Sequence, residues 1–136
     1  MAEEGLEPIL LDQYFLKMEN LRPYTDDHPQ PPDTIRFVLL SDTHNVTDNL
    51  RVPDGDVLLH SGDFSDCGKP ENIVHFNEFL GRLPHPHKVV IAGNHDLSFD
   101  IENWEGIQKN FGFPPDTDPN AIKASLTNCT YLEESG

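Results

Sequence analysis

Basic residues, cysteines and long apolar runs are all scarce in this 136-residue sequence. Its 9 basic residues against 24 acidic ones leave a net charge of −15, which would repel the phosphate backbone of a nucleic acid. Any phosphate that the protein handles would therefore need a local positive centre, such as a metal ion. The 2 cysteines are too few for a disulfide framework, and the apolar runs are too short to span a bilayer. Because the sequence also begins with acidic residues rather than a secretory signal, we expect a cytoplasmic protein that binds neither nucleic acids nor membranes.

Two regions are predicted, an N-terminal extension over residues 1–33 and a compact domain over residues 34–136. In the extension, apolar residues at three- and four-residue spacing predict an amphipathic helix near Pro8–Leu21, which would pack on the domain or on a partner. The segment Pro23–Pro32 that follows is rich in proline, which is typical of a stiff linker.

Short apolar runs alternate with helical patterns in the compact domain. The runs predict buried strands over Ile35–Leu40, Val57–His60 and Lys88–Ala92, with a further short strand over Thr130–Leu132. The helical patterns predict helices over about Glu71–Arg82, over Ile101–Phe111 between an Asp100 N-cap and Gly112, and for one or two turns within Pro119–Leu126. This alternation predicts an α/β fold with a parallel sheet and βαβ crossovers.

Polar side chains follow each of the first three predicted strands. They are Asp42 and His44, then Asp63 and Asp66, then Asn94, His95 and Asp96. Because the carboxyl ends of parallel strands meet at one edge of a sheet, we expect these groups to lie together. Carboxylate, imidazole and amide groups bind divalent ions such as Mn²⁺, Zn²⁺, Fe²⁺ or Mg²⁺. A single Asp-x-His is more often a capped turn, but three such motifs in order favour a metal site.

The other histidines and both cysteines have ordinary interpretations. His60 lies within a strand and is expected to be a core residue that bonds the backbone. The other histidines are expected in a helix and in a proline-broken turn, and they are His75, His85 and His87. Cys67 and Cys129 are expected to be buried or unreactive thiols.

Three segments, Arg36–His44, Gly55–Phe64 and Val90–His95, resemble the D-x-H, G-D and G-N-H-[DE] blocks of the calcineurin-like metallophosphoesterase superfamily. Within this superfamily, the sequences of the three segments are most similar to the metallophosphoesterase-domain-containing group. That group is class III phosphodiesterase-like and was first known from fetal brain. The resemblance runs from about Ile35 to Leu132. It implies an α/β/β/α sandwich in which helices cover two packed sheets.

The resemblance also implies a two-metal site, with Mn²⁺ as the first choice of ion. Asp42, His44 and Asp63 would hold one ion, and Asp63 would bridge to a second ion held by Asn94. A metal-held hydroxide would attack phosphorus, with His95 as general acid and Asp66 as the group that orients it. The implied substrates are small phosphodiesters or phosphomonoesters, with cyclic nucleotides among the candidates.

Two departures from the family pattern limit what it implies. Cys67 stands where relatives of the protein-phosphatase type have a phosphate-gripping arginine, so phosphoprotein substrates are less expected. No histidine follows Asp96, whereas later family blocks supply the remaining metal ligands. We therefore expect the N-terminal half of the domain, with the second sheet largely missing and with self-association through the uncovered sheet.

Two functional hypotheses remain, and whether the chain is an enzyme stays open between them. The first is a metal-dependent phosphoric ester hydrolase of the phosphodiesterase type. The second is a truncated, catalytically inactive relative that binds a metal or a partner. An unrelated α/β binding module, in which the motifs are caps and turns, is a third interpretation.

Overall fold

The computed structural model describes residues 29–133. The helix predicted near Pro8–Leu21 and most of the predicted linker lie outside the described residues. The last linker residues are described, and Gln30 is tied to the domain, since its Nε2 donates to Asp56 Oδ2 at 2.8 Å and to Thr34 O at 2.7 Å. No helix among residues 29–133 has the length and apolar character needed to cross a membrane.

Helices separate the later strands of the described chain, as the sequence predicts, whereas the first two strands are joined by a loop alone. The strands are β1 (Phe37–Leu40), β2 (Val57–His60), β3 (His87–Val90) and β4 (Thr130–Tyr131). The helices are α1 (Pro70–Arg82), a 3₁₀ turn (Leu97–Phe99), α2 (Trp104–Phe111) and α3 (Pro119–Ala124). All four strands are parallel, in the order β1-β2-β3-β4, which confirms the predicted α/β fold.

The main local difference from the sequence prediction is the start of α2. Asp100 does not cap this helix, whose N-cap is Asn103. The preceding 3₁₀ turn ends at Asp100, and the Asp100 carboxylate accepts hydrogen bonds from Asn103 N at 3.3 Å and from Asn103 Nδ2 at 2.9 Å. The carboxylate is therefore used one turn ahead of the helix. Gly112 ends α2 as predicted, in the left-handed conformation with φ 70°.

The two faces of the sheet differ in burial. On the inner face, Val38, Leu58 and Val90 are buried against α1, α3 and the 3₁₀ turn, with an aromatic group at the centre of the core. In that group Phe64 stacks on Phe76 with 4.5 Å between ring centroids. The opposite, outer face carries Ile35, Phe37, Leu39 and Ile91, of which Phe37 and Leu39 are 53% and 68% exposed within the described residues. The alternation along β1 thus gives one buried and one exposed apolar face.

His60 is a buried core residue, as the sequence predicts. Gly62 N donates to its Nδ1 at 3.3 Å, so the ring proton sits on Nε2 and can be donated to Thr43 Oγ1 at 3.1 Å. Burial lowers the pKa of His60 to about 4, although the Asp42 and Asp63 carboxylates oppose this shift. The folded protein therefore holds this imidazole neutral.

A neutral His60 makes stability depend on pH. The unfolded chain protonates this group near the ordinary pKa of 6.5, whereas the folded chain does so only near 4. We expect the contribution of His60 to the free energy of unfolding to be full above pH 6.5. It should decrease progressively as the pH falls from 6.5 and be lost once the pH has fallen through 4, by up to about 3 kcal/mol in total.

Urea unfolding of the wild type and of His60→Gln between pH 4 and 8 would measure this contribution as a difference in slope. His87→Gln is the matched control, because His87 is exposed at the start of β3. Equal pH slopes for the wild type and His60→Gln would contradict the prediction.

Candidate metal centre

The loops that follow β1 and β2 run side by side at the carboxyl edge of the sheet. Backbone hydrogen bonds join them, from Asp42 N to Gly62 O at 3.1 Å and from His44 N to Asp63 O at 3.0 Å. The parallel pairing of the two strands therefore continues into the loops. It brings the Asp-x-His motif beside the Gly-Asp motif, as the sequence predicts.

Backbone strain is concentrated in these two loops. Asp42, His44, Asn45 and Asp63 have positive φ values of 55°, 40°, 63° and 54°. A left-handed conformation is uncommon for residues with a Cβ and costs about 1–2 kcal/mol each. Such strain is typical of functional sites, where the surrounding structure holds a residue in an unfavourable conformation.

Gly62 and Gly93 allow the second and third loops to touch. A Cβ on Gly62, whose φ is 103°, would lie 2.7 Å from Gly93 N. A Cβ on Gly93 would overlap the Asp63 carboxylate and lie 2.6 Å from Asp63 N. Neither position therefore has room for a side chain. The two glycines let the two loops approach each other, with the Asp63 carboxylate lying against Gly93.

His44, Asp63 and His95, one residue from each loop, form a compact cluster. Each offers a metal-ligating atom, and these atoms all lie within 4.8 Å of one another. The His44 and His95 rings meet edge to face with centroids 4.6 Å apart, and His95 N donates to Asp63 Oδ1 at 2.8 Å. Two imidazoles and a carboxylate are a donor set that suits Mn²⁺, Fe²⁺ or Zn²⁺, so the residues fit a divalent metal.

Asp42 and Asn94 lie at the margin of this cluster. Asp42 Oδ1 is 4.0 Å from His44 Nε2, and the hydroxyl of Ser41 donates to the other Asp42 oxygen. The Asn94 side chain is exposed beside His95. Their roles as metal ligands stay predictions.

His95 is oriented by the main chain of Asp66. Its Nδ1 lies 3.0 Å from the Asp66 carbonyl oxygen, which can only accept, so Nδ1 carries a proton and Nε2 is left for chemistry. The Asp66 carboxylate instead accepts from Asn45 Nδ2 at 2.6 Å and lies 3.7 Å from His44 Nδ1. Asp66 thus contacts both histidines of the cluster, through different atoms.

Several residues set aside in the sequence stay away from the cluster. His75 Nε2 contacts Thr47 Oγ1 at 3.0 Å, and His85 is buried in the turn before β3. Both cysteines are free thiols, and burial raises the pKa of Cys129 to about 11, which agrees with an unreactive thiol.

Asp96 is the residue of the site whose role the sequence did not predict. It is 1% exposed and accepts hydrogen bonds from Ser65 and Gly93 rather than facing the cluster. Burial raises the pKa of its carboxyl, and these hydrogen bonds oppose the shift. Its position in Gly-Asn-His-Asp is visible in the sequence, but three of its four donors, on Phe64 and Ser65, come from a distant segment.

Comparisons with known proteins agree with this geometry. Residues 28–134 match the family model described as calcineurin-like phosphoesterase. Metallophosphoesterase domain-containing protein 1 from Homo sapiens and the protein of the same name from Mus musculus are each 46% identical over 121 residues, covering 83% of this chain and 37% of the relative. A UPF0046 protein of Caenorhabditis elegans is 42% identical over 116 residues, covering 84% of this chain and 37% of its own length.

This chain thus spans little more than a third of the length of these relatives. The match nevertheless includes all three strand-end motifs, and the resemblance predicted from those motifs is confirmed. The chain belongs to the calcineurin-like phosphoesterase family.

Proposed function

We propose that this chain carries the N-terminal part of a metal-dependent phosphoric ester hydrolase site of the phosphodiesterase type. The observation that supports the proposal most strongly is the meeting of His44, Asp63 and His95, one from each strand-end loop, within 4.8 Å of one another. Caps and turns would satisfy their own loops and would not need to converge. A hydrolase site of this kind needs that convergence, because the proposed ligands His44 and Asp63 must face the same ion and the proposed acid His95 must lie beside them.

Asp42, His44 and Asp63 would hold one divalent ion, and Asp63 with Asn94 would hold a second. Mn²⁺ suits the mixed oxygen and nitrogen donors, and Zn²⁺, Fe²⁺ or Mg²⁺ would be alternatives. Bound ions would lower the pKa of water and offset charge on the phosphoryl oxygens. The protein prepares this site by holding the Asp63 carboxylate against Gly93 and by hydrogen-bonding it to His95 N at 2.8 Å.

His95 would be the general acid. Its Nδ1 is committed to the Asp66 carbonyl at 3.0 Å, which fixes the ring and leaves Nε2 to hold a proton for the leaving oxygen. The Asp66 carboxylate, 3.7 Å from His44 Nδ1, would orient the neighbouring imidazole in the same way.

The proposed substrate is a small phosphodiester or phosphomonoester, with cyclic nucleotides among the candidates. Asp42 and Asp66 are both exposed around the cluster, so a polyanion would be repelled from the site unless metal ions offset its charge. Cys67, at the position where some relatives have an arginine, provides no positive charge for a phosphoprotein. A cytoplasmic location belongs to the same proposal, since both cysteines are free thiols.

A second candidate function is that of an inactive metal- or partner-binding module. The exposed outer face of β1 favours it, because Phe37 and Leu39 present apolar area beside a groove of about 490 Å³ that Pro29, Pro31 and Pro53 also line. Contiguous apolar patches of this kind typically mark interaction surfaces. Such a module would self-associate through the outer face.

Asp63→Asn and His95→Ala separate metal binding from acid catalysis. With Mn²⁺ added, we expect Asp63→Asn to lower hydrolysis of bis(4-nitrophenyl) phosphate by about 10²-fold or more, together with Mn²⁺ affinity, because it removes the bridging charge. His95→Ala should keep Mn²⁺ affinity and lose rate. Its loss should be larger for a diester with an alkoxide leaving group, about 10²–10⁴-fold, because nitrophenolate leaves without needing a proton.

Product absorbance or chromatography would give the rates, and isothermal titration calorimetry would give the Mn²⁺ affinity. His87→Ala is the matched control, since this exposed histidine lies at the opposite, amino end of β3. Hydrolysis that neither Asp63→Asn nor His95→Ala changes would refute the proposed site.

Leu39→Lys tests the second candidate. If the outer face mediates self-association, a lysine there should lower the association constant at least about 10-fold, because a charged group would have to be desolvated in the contact. Sedimentation velocity over a range of concentrations would measure it. Val46→Lys is the control, since Val46 is 76% exposed but lies in the loop after β1. A wild-type protein that stays monomeric at every concentration would rule out self-association.

A further inference from the structure

We propose that Asp96 is a positioning residue for the metal centre. Its buried carboxylate clamps the loop after β2 to the loop after β3, and this clamp keeps Asp63 and His95 in contact. The inference rests on the proposed function, which it extends to a side chain that touches neither metal nor substrate.

The clamp consists of hydrogen bonds to both loops. Asp96 Oδ1 accepts from Ser65 N at 2.9 Å and from Ser65 Oγ at 2.6 Å. Asp96 Oδ2 accepts from Gly93 N at 2.9 Å and, at a longer 3.4 Å, from Phe64 N. Ser65 Oγ in turn accepts from Gly68 N at 2.9 Å, which extends the network toward α1. Hydrogen bonds to an ionised acceptor are roughly twice as strong as those between neutral groups.

These bonds surround the contact that matters for the site. Phe64 and Ser65 directly follow Asp63 in the chain, while Gly93 and Asp96 flank Asn94 and His95. The backbone hydrogen bonds between β2 and β3 end at the start of the loops, where Ile91 N donates to His60 O at 3.1 Å. Beyond that bond, the described hydrogen bonds between the two loops each involve a side chain.

The two remaining bridges are those that the site itself uses. They are His95 N to Asp63 Oδ1 at 2.8 Å and His95 Nδ1 to Asp66 O at 3.0 Å. Both depend on the separation between the loops, which the Asp96 clamp sets. Loss of the clamp would break the link that the Asp96 carboxylate makes between Gly93 and Ser65, and it would weaken both bridges together.

Asp96→Asn tests this role with almost no change in shape. One terminal oxygen becomes an NH₂ group, so either the Ser65 pair or the Gly93 and Phe64 pair would face a donor instead of an acceptor. We expect the His95 amide to exchange its hydrogen at least 10-fold faster relative to the amides of β2, measured by NMR on the full chain without metal. A residue that served global stability alone would speed both sets equally, and that result would overturn the proposal.

Asp56→Asn is the matched control. Its carboxylate also bridges backbone, accepting from Arg36 N at 2.7 Å, but it lies before β2 at the opposite end of the sheet. It should leave the ratio of His95 to β2 exchange unchanged. If Asp96→Asn does not fold, Ser65→Ala replaces it. This variant removes the hydroxyl that donates to Asp96 and accepts from Gly68 N, keeps the bond from Ser65 N, and should raise the same ratio about 3-fold. An unchanged ratio in Ser65→Ala would then overturn the proposal.

A Mn²⁺ titration provides the second readout. We expect Asp96→Asn to weaken Mn²⁺ binding at least 10-fold while Asp56→Asn binds as the wild type does. Failure of the proposed function can be told apart from failure of this inference. A wild type without Mn²⁺-dependent hydrolysis would contradict the proposed function, whereas the ratio of His95 to β2 exchange would still decide the role of Asp96.

Discussion

The in-register pairing of the first three strands is the constraint on which the site depends. Leu40, His60 and Val90 are aligned across β1, β2 and β3, so the three strands stop at one level and release their polar residues at one edge. A slip of one residue in β2 would turn His60 to the outer face and move Asp63 away from both other loops. The cluster is thus a consequence of sheet register, and the loop contacts refine what the register has already brought together.

The strands, α1, the Gly112 cap and the meeting of the three motifs were predictable, because each signal is local or follows from parallel pairing. The start of α2 was not, since Asp100 is a good N-cap by type and only the preceding 3₁₀ turn directs its carboxylate elsewhere. The role of Asp96 was hidden for a related reason. Its donors at Ser65 lie 31 positions away along the chain, and no pattern in one sequence shows which distant backbone groups will surround a carboxylate.

Residues of the hydrophobic core and residues of the candidate site lie next to one another in the loop after β2. Asp63 and Asp66 face the cluster side, whereas Phe64 and Ser65 between them are buried. Phe64 is held by the stack on Phe76 and by an edge contact with Phe99, whose ring centroid is 5.3 Å away. The position of the Asp63 carboxylate is therefore fixed from the hydrophobic core as well as from the neighbouring loops, which is how a strained φ of 54° can persist there.

This close succession of core and site residues limits how the loop after β2 can vary in length. Every residue of the segment 62–66 has an assigned contact, in the glycine approach, the cluster, the aromatic core or the Asp96 clamp. An inserted residue there would move the residues that follow it out of these contacts. The longer connection between β1 and β2 has exposed residues at 48–51, and it is there that insertions would be tolerated. New specificity around this centre would therefore arise by lengthening the first connection, with the second kept at constant length.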